Sequence, residues 1–330
     1  MKYQLMIKKN FNLATFFFHY LKRSLKLPYP PFFFWIEPTN ACNLKCISCP
    51  HSLTEKMPTK KGFMSMELCR KLIDEIRSFK PRGITFHLGG ESMLHPNLFN
   101  MIQLAKNSNI TTMMSTNATL LTEAKAEALI DSGLDALRID FCHDKNYFEN
   151  FRKGADWNLV LENIRRLLKF KKKKDSRSPT VHIVNIMMDN SVSFSKLKDL
   201  FQDLDVIGIT AFKTHTWAGE FADIMVDNSL LRVSKKSYFP CSHLWSSLAI
   251  KWDGKVVPCC RDLKGDYIVG DAARSSLLEI WNGDRLMNLR YRLKTKDLAR
   301  TPLCRNCSKI WEGKPYHLIL KHISTSWKLR

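Results

Sequence analysis

The chain has 330 residues, 45% hydrophobic and 25% charged, enough for one large folded α/β domain with a smaller appendage. Its ten cysteines lie mostly in two tight groups near the ends; this excludes a short, cysteine-dense secreted scaffold and favours metal ligation in a reducing compartment. A net charge of +21 suits a surface that attracts phosphates on nucleic acid, on an anionic lipid face or on a small substrate.

Residues 1–30 form a basic N-terminal segment. It has the charged start of a signal peptide but no small-residue cleavage site, and His19, Lys22 and Arg23 interrupt it too early for a membrane span. Phe11, Ala14, Phe18, Leu21 and Leu25 recur at helical spacing beside lysines. Such a helix either lies on a membrane surface or caps the main domain. The expectation is a cytoplasmic protein with peripheral contact at the inner face of the membrane.

From 31 to 235, strand-like stretches at 32–38, 83–88, 110–116, 136–141, 181–188 and 208–213 alternate with helical periods at 66–79, 97–107, 122–132, 157–171 and 194–203. Ser65 and Thr122 are candidate N-caps. Six βα units are too few for a closed eight-unit barrel, so the pattern predicts an α/β partial (β/α)6 TIM-like barrel. The run Lys171–Lys174 is read as a solvated loop or an anion patch. Residues 236–312 read as a small α+β cysteine-rich domain, with a hairpin turned at Asp253-Gly254, and 313–330 as a basic tail.

"CNLKCISC" places Cys42, Cys46 and Cys49 at C-x3-C-x2-C directly after the first strand, with His51 close behind. In a parallel barrel that loop lies on the C-terminal face, where active sites are built. Two readings follow. Cys42, Cys46, Cys49 and His51 close a four-ligand zinc site, or three thiolates hold a 4Fe–4S cluster and leave one iron open.

This motif resembles the signature of the radical S-adenosylmethionine (SAM) superfamily. The resemblance implies that the open iron binds SAM and that an electron cleaves it to methionine and a 5′-deoxyadenosyl radical. "HLGGES" (87–92) resembles the family's Gly-Gly-Glu motif, in which Gly89 and Gly90 admit the ligand and Glu91 accepts from its ammonium. Ser115 and Asn117 in "STN", Asp140 at the end of the fourth strand, and Arg152 in "FRKGAD" resemble further SAM-contacting positions. Ser48 and Ser92 depart from the family pattern, where a larger side chain and a proline are usual.

Cys241, Cys259, Cys304 and Cys307 follow C-x17-C, x44, C-x2-C, a four-thiolate set that spacing alone would also allow for zinc. "CSHLW", "DGKVVPCC", "LLEIWN" and "LCRNC" resemble the SPASM/twitch extension of radical SAM enzymes. That resemblance implies one auxiliary 4Fe–4S cluster with four protein ligands, an electron acceptor with no open iron. Cys260 is spare, and Cys69 belongs to a core helix.

The resemblance further implies an Fe–S oxidoreductase that oxidises a carbinol of a sugar, cyclitol or glycan precursor. The basic charge suggests a phosphorylated or lipid-linked substrate, and the chemistry requires a flavodoxin- or ferredoxin-type electron donor. A peptide maturase or epimerase is the alternative. Many peptide-modifying relatives carry a winged-helix domain before the barrel, for which the roughly thirty residues here are too few. A nucleic-acid-binding Fe–S protein ranks last, because no aromatic-basic strand motif is present. His143 and His215 are candidate bases for the hydroxyl proton, and Cys142 a candidate hydrogen donor in an epimerase.

Overall fold

The computed structural model describes residues 13–52, 60–187, 193–202, 204–206, 208–213, 217 and 238–311. They fall into two compact units. One holds the described residues of 35–213 with 250–254, and the other those of 13–34, 217–249 and 255–311.

The strands β1 (Phe33–Ile36), whose second half belongs to the first unit, β3 (Gly83–Phe86), β4 (Thr112–Thr116), β5 (Ala136–Asp140), β7 (Thr180–Met187) and β8 (Gly208–Lys213) follow one another in sheet order. From β3 onward every neighbour pair is parallel, which is the expected open α/β partial barrel. Helices α2 (Met66–Ser78), α3 (Leu98–Asn107), α4 (Glu123–Asp131), α6 (Trp157–Lys173) and α7 (Phe194–Asp199) supply the crossovers. Helix α2 shows why they form. The Ser65 hydroxyl accepts from Leu68 N, and Cys69, Leu72, Ile73 and Ile76 make one buried stripe at a spacing of three to four residues. Thr122 caps α4 in the same way through Lys125 N.

Along the strands burial alternates. Leu137 and Ile139 of β5 and Val181 and Ile183 of β7 are fully buried, whereas Arg138 and His182 between them stay open. The period of two sends alternate side chains to the helix-covered face and to the inner face of the barrel. The lysine run is helical, not a loop. Helix α6 reaches Lys173, Lys171 is buried against Asp205 at 3.3 Å, and Lys174 pairs with Asp131 and Glu127 at 2.8 and 3.1 Å. Cations at a helix C-terminus are favoured by the macrodipole. Helix α7 ends at Asp199, short of the expected 203.

The second unit gathers the hairpin strands β9 (Ser247–Ile250) and β10 (Lys255–Val257), then β11 (Gly270–Asp271) antiparallel to β10. Helices α8 (His243–Ser246), α9 (Leu277–Trp281), α10 (Asp284–Lys294) and α11 (Pro302–Arg305) complete it. A helix at 13–21, α1, belongs to this unit. Its Phe16 and Tyr20 are 2% and 1% exposed and stack at 5.5 Å. Arg290, fully buried, donates to Leu244 O and Leu25 O at 2.8 Å each, with its guanidinium 4.4 Å from the Trp281 ring. Trp245 and Trp281 donate to Ser24 O and Tyr29 O. The face of α1 that packs into the protein's own core is that of Phe16 and Tyr20; it is not the expected stripe, of which Ala14, Phe18 and Leu21 stay exposed. The capping reading fits this burial, and membrane-surface contact gains no support. Among the described residues no helix is long and apolar enough to cross a membrane. Residues 1–12 and the tail at 313–330 lie outside the described residues.

Candidate functional site

The loop after β1 carries Cys42, Cys46 and Cys49. It is clamped at its centre by a short antiparallel ribbon, β2 (Lys45–Cys46) against β6 (Arg152–Lys153), which sets Cys46 opposite Arg152. Ile47 N adds a bond to Phe151 O at 3.0 Å. The Arg152 guanidinium, 7% exposed, bridges two groups: it pairs with Asp140 at the end of β5 and donates to Cys46 Sγ at 3.7 Å. Burial, with smaller contributions from Glu91 and Cys46, pushes the Cys42 thiol up to about 11, and burial with the neighbouring Cys46 and Cys42 sulfurs pushes the Cys49 thiol up to about 12. For Cys46 burial also leads, opposed by Arg152. Any metal centre taken here must displace these protons.

The zinc reading needs the His51 ring among the thiols. Instead the ring leans on the Gly89 backbone, its Nε2 is buried without a partner, and only the backbone N–H of His51 faces Cys49. Among the described residues no group of three or more His, Cys, Asp or Glu side chains could hold a single metal ion. A 4Fe–4S centre does not ask its thiolates to converge on one ion, since each takes a separate iron. The chemistry of the donor set fits the cluster better than it fits zinc.

The Gly-Gly-Glu turn is built onto the same loop. A Cβ on Gly90 would lie 2.3 Å from Thr39 O and 2.4 Å from Ala41 O, and Glu91 N donates to Ala41 O at 2.8 Å. Gly90 therefore lets two backbones touch, a different use from admitting a ligand. Gly89 N donates to Glu37 Oε1 at 3.2 Å; Glu37 is fully buried, with Lys251 Nζ at 3.9 Å. Ser92, at the expected proline position, donates to Phe86 O at 2.8 Å and closes the turn. Gly90→Ala is expected to shift the cysteine loop and slow SAM cleavage by about 100-fold. The check is 5′-deoxyadenosine formed at matched iron content, and an unchanged rate would disconnect Gly90 from the loop's placement.

Glu91, 4% exposed, accepts from Met93 N at 3.1 Å, Thr116 Oγ1 at 2.9 Å and Asn117 N at 2.9 Å. A carboxylate accepts about four hydrogen bonds, so one further donor can still be served. Asn117 Nδ2 reaches Asn43 Oδ1 at 3.1 Å, tying the end of β4 to the cysteine loop. Ser115 lies on the inner face of β4, opposite Arg138 of β5. The structure thus brings Cys42, Cys46, Cys49, Glu91, Asn117, Asp140 and Arg152 into one neighbourhood. Thr116, Asn43 and Glu37 were missed, because each acts through a backbone or side-chain contact that spacing does not reveal.

The catalytic candidates divide. Cys142 follows β5, is 5% exposed, donates from Sγ to Asp144 O at 3.3 Å, and has its thiol pushed up to about 12 by burial. His143 beside it has a buried Nδ1 with no partner among the described residues. His215 lies outside the described residues.

In the second unit Cys241, Cys259, Cys304 and Cys307 line one pocket, together with Arg261 and Lys309, and Cys260 does not line it. Burial pushes the Cys241 thiol up to about 12 and those of Cys259 and Cys304 well above the usual thiol range. Arg261 Nη1 donates to Cys307 Sγ at 3.4 Å, as Arg152 does to Cys46. Tyr20 donates to Pro240 O at 2.7 Å and so anchors the residue before Cys241. Neither Arg261 nor Tyr20 carries a spacing signal. Cys69 is a fully buried core residue of α2.

A six-stranded partial barrel with three thiols in the loop after its first strand, followed by a four-thiol unit, defines a class. Residues 36–204 match the Radical SAM superfamily and 241–308 the SPASM iron–sulfur cluster-binding domain. The first match spans more than half of the 330 residues, and the chain belongs to the radical SAM superfamily. It is a radical SAM enzyme whose two domains use SAM, a SAM-binding 4Fe–4S cluster and auxiliary Fe–S chemistry. Among its relatives is the tungsten-containing aldehyde ferredoxin oxidoreductase cofactor-modifying protein of Pyrococcus furiosus, 24% identical over 84% of this chain and 87% of that protein. Another is the S-adenosyl-L-methionine-dependent 2-deoxy-scyllo-inosamine dehydrogenase of Niallia circulans, 20% identical over 83% of this chain and 92% of that protein. The fold is shared with Streptococcus suis SuiB bound to its precursor peptide SuiA, with a TM-score of 0.63 and 15% identity over 84% of this chain and 70% of that one.

Proposed function

We propose that the chain oxidises a carbinol carbon of a sugar, cyclitol or glycan precursor. Cys42, Cys46 and Cys49 hold the SAM-binding cluster, and Cys241, Cys259, Cys304 and Cys307 hold one auxiliary 4Fe–4S cluster. The observation that carries this reading is the pocket of the second unit, which offers four thiols and therefore a closed, electron-accepting site. Similarity to the 2-deoxy-scyllo-inosamine dehydrogenase across most of both chains supports it.

When bound, the two clusters and SAM supply a hydrogen-abstracting 5′-deoxyadenosyl radical and a one-electron sink, with a flavodoxin- or ferredoxin-type protein as donor. The chain's own residues hold and orient. Glu91 keeps one acceptor position for the SAM ammonium, while Gly89, Gly90, Ser115, Asn117 and Asp140 form the surrounding strand ends. Arg152 holds Cys46 and Asp140 in fixed relation. Oxidising an alcohol to a ketone releases the hydroxyl proton, and the unpartnered Nδ1 of His143 is the group we assign to receive it.

The test is anaerobic turnover in deuterated buffer, with 2-deoxy-scyllo-inosamine and a panel of phosphorylated sugars as probes. The expected result is a ketone, trapped as a hydrazone, in equal amount with 5′-deoxyadenosine from at least one probe. A product of unchanged redox state carrying solvent deuterium at the abstracted carbon would overturn oxidation in favour of epimerisation.

A further inference from the structure

The inner face of the barrel carries a row of polar side chains of which the SAM-contacting residues use only Ser115. Strand register places it. Ser115 is opposite Arg138, Arg138 opposite His182, and His182 opposite Gly208. Thr85 is opposite Met113, so His87, two residues beyond Thr85, falls level with Ser115 on the same face. The row thus crosses the sheet as His87, Ser115, Arg138 and His182, ending at Gly208, whose missing side chain leaves room: a Cβ there would come within 3.3 Å of His182 Nδ1.

The side chains of this row are short of partners. Arg138 is open to solvent and, among the described residues, has neither a hydrogen bond nor an ion pair. The nearest carboxylate on its own strand, Asp140, is already taken by Arg152. Among the described residues His87 Nδ1 is buried without a partner. Elsewhere on the inner face the neighbours are Met113, Val184 and Ile186, which supply no charge. Burial together with the Arg138 charge pushes His87 down to about 4 and lowers His182, so both rings are neutral at pH 7 and each has one N–H to donate. A guanidinium with no partner among the described residues, flanked by two neutral imidazoles on the same face of the sheet, matches an anionic oxygen group.

We propose that His87, Arg138 and His182 form a subsite on the inner face of the barrel that binds a carboxylate or phosphate of the substrate. This rests on the reading of the barrel as the catalytic unit and narrows its substrate to an anionic one. The only other anion of that chemistry in the reaction is the carboxylate of SAM itself, and the test separates the two sources.

Phenylglyoxal modifies accessible arginines, and peptide mass spectrometry reads Arg138 individually. With the reconstituted full chain, inorganic phosphate or acetate is expected to slow modification of Arg138 by about tenfold, with or without saturating SAM. SAM alone should leave Arg138 reactive. His182→Leu should weaken the protection about fivefold. Protection by SAM alone would overturn the proposal by assigning the row to SAM, as would failure of both anions to protect. Formation of 5′-deoxyadenosine in the same wild-type samples keeps the two readings apart. If it forms and Arg138 is unprotected, the subsite alone fails; if neither iron nor cleavage is present, the reading of the barrel fails with it.

Discussion

Replacing Cys42, Cys46 and Cys49 together by alanine is expected to reduce the iron of anaerobically reconstituted protein from about eight atoms per chain to about four and to abolish SAM cleavage. The two groups of thiols belong to different compact units, so the second unit's set should load independently of the loop after β1. Among the described residues, the polar neighbours of the loop cannot replace the missing ligands. The His51 ring leans on Gly89, and Arg152, the closest polar group to Cys46, is a cation that cannot ligate iron. The measurement is iron and sulfide content with the electron paramagnetic resonance spectrum of the reduced protein before and after SAM. Wild-type protein should show a spectral change on adding SAM, and the triple variant should not. Tightly bound zinc with no iron chromophore in wild-type protein would sink the cluster assignment outright.

Changing Cys304 and Cys307 to alanine should separate two events that the wild type couples. Both side chains sit in the second unit, outside the barrel residues assigned to SAM, and Cys307 also receives the Arg261 guanidinium. Removing them takes away two of four thiols and leaves that positive charge without its sulfur partner. 5′-Deoxyadenosine should still form, uncoupled from oxidation, at a rate within about threefold of wild type, while ketone falls below detection, a loss of at least about 100-fold. The reason is electron count. Loss of a hydrogen atom removes one electron from the carbinol, and the ketone requires a second to leave. Quantifying 5′-deoxyadenosine and ketone in one anaerobic reaction checks this. Undiminished ketone from the double variant would remove the second unit from the oxidation, and Cys142→Ala as the sole inactivating change would point to redox-neutral chemistry instead.

Much of this molecule was legible in local pattern. The alternation of apolar strands with amphipathic helices set the parallel barrel, because both periods depend only on which face each residue must bury. Ser65 and Thr122 were recognisable caps because a cap acts within three residues. The two cysteine groups were legible because clusters take several like ligands, and C-x3-C-x2-C and C-x2-C bring thiols together by chain proximity. The lysine run misled, since a charge run reads as solvated until Lys171 is seen buried against Asp205.

What the tertiary structure alone decided are contacts between residues distant in sequence. Arg152 reaches Cys46 through a two-residue ribbon, Gly90 is obligatory because Thr39 and Ala41 pass beside it, and Tyr20 anchors Pro240 at Cys241 from the other end of the chain. The first helix shows the distinction most directly. Its spacing selected the face of Ala14, Phe18 and Leu21, yet that face stays exposed and the face of Phe16 and Tyr20 is buried instead. Only the packing of Phe16 and Tyr20 within the cysteine-rich unit decided which face left water. Sequence period determines that an apolar face must leave water, and the identity of what covers it depends on where the rest of the chain comes to lie.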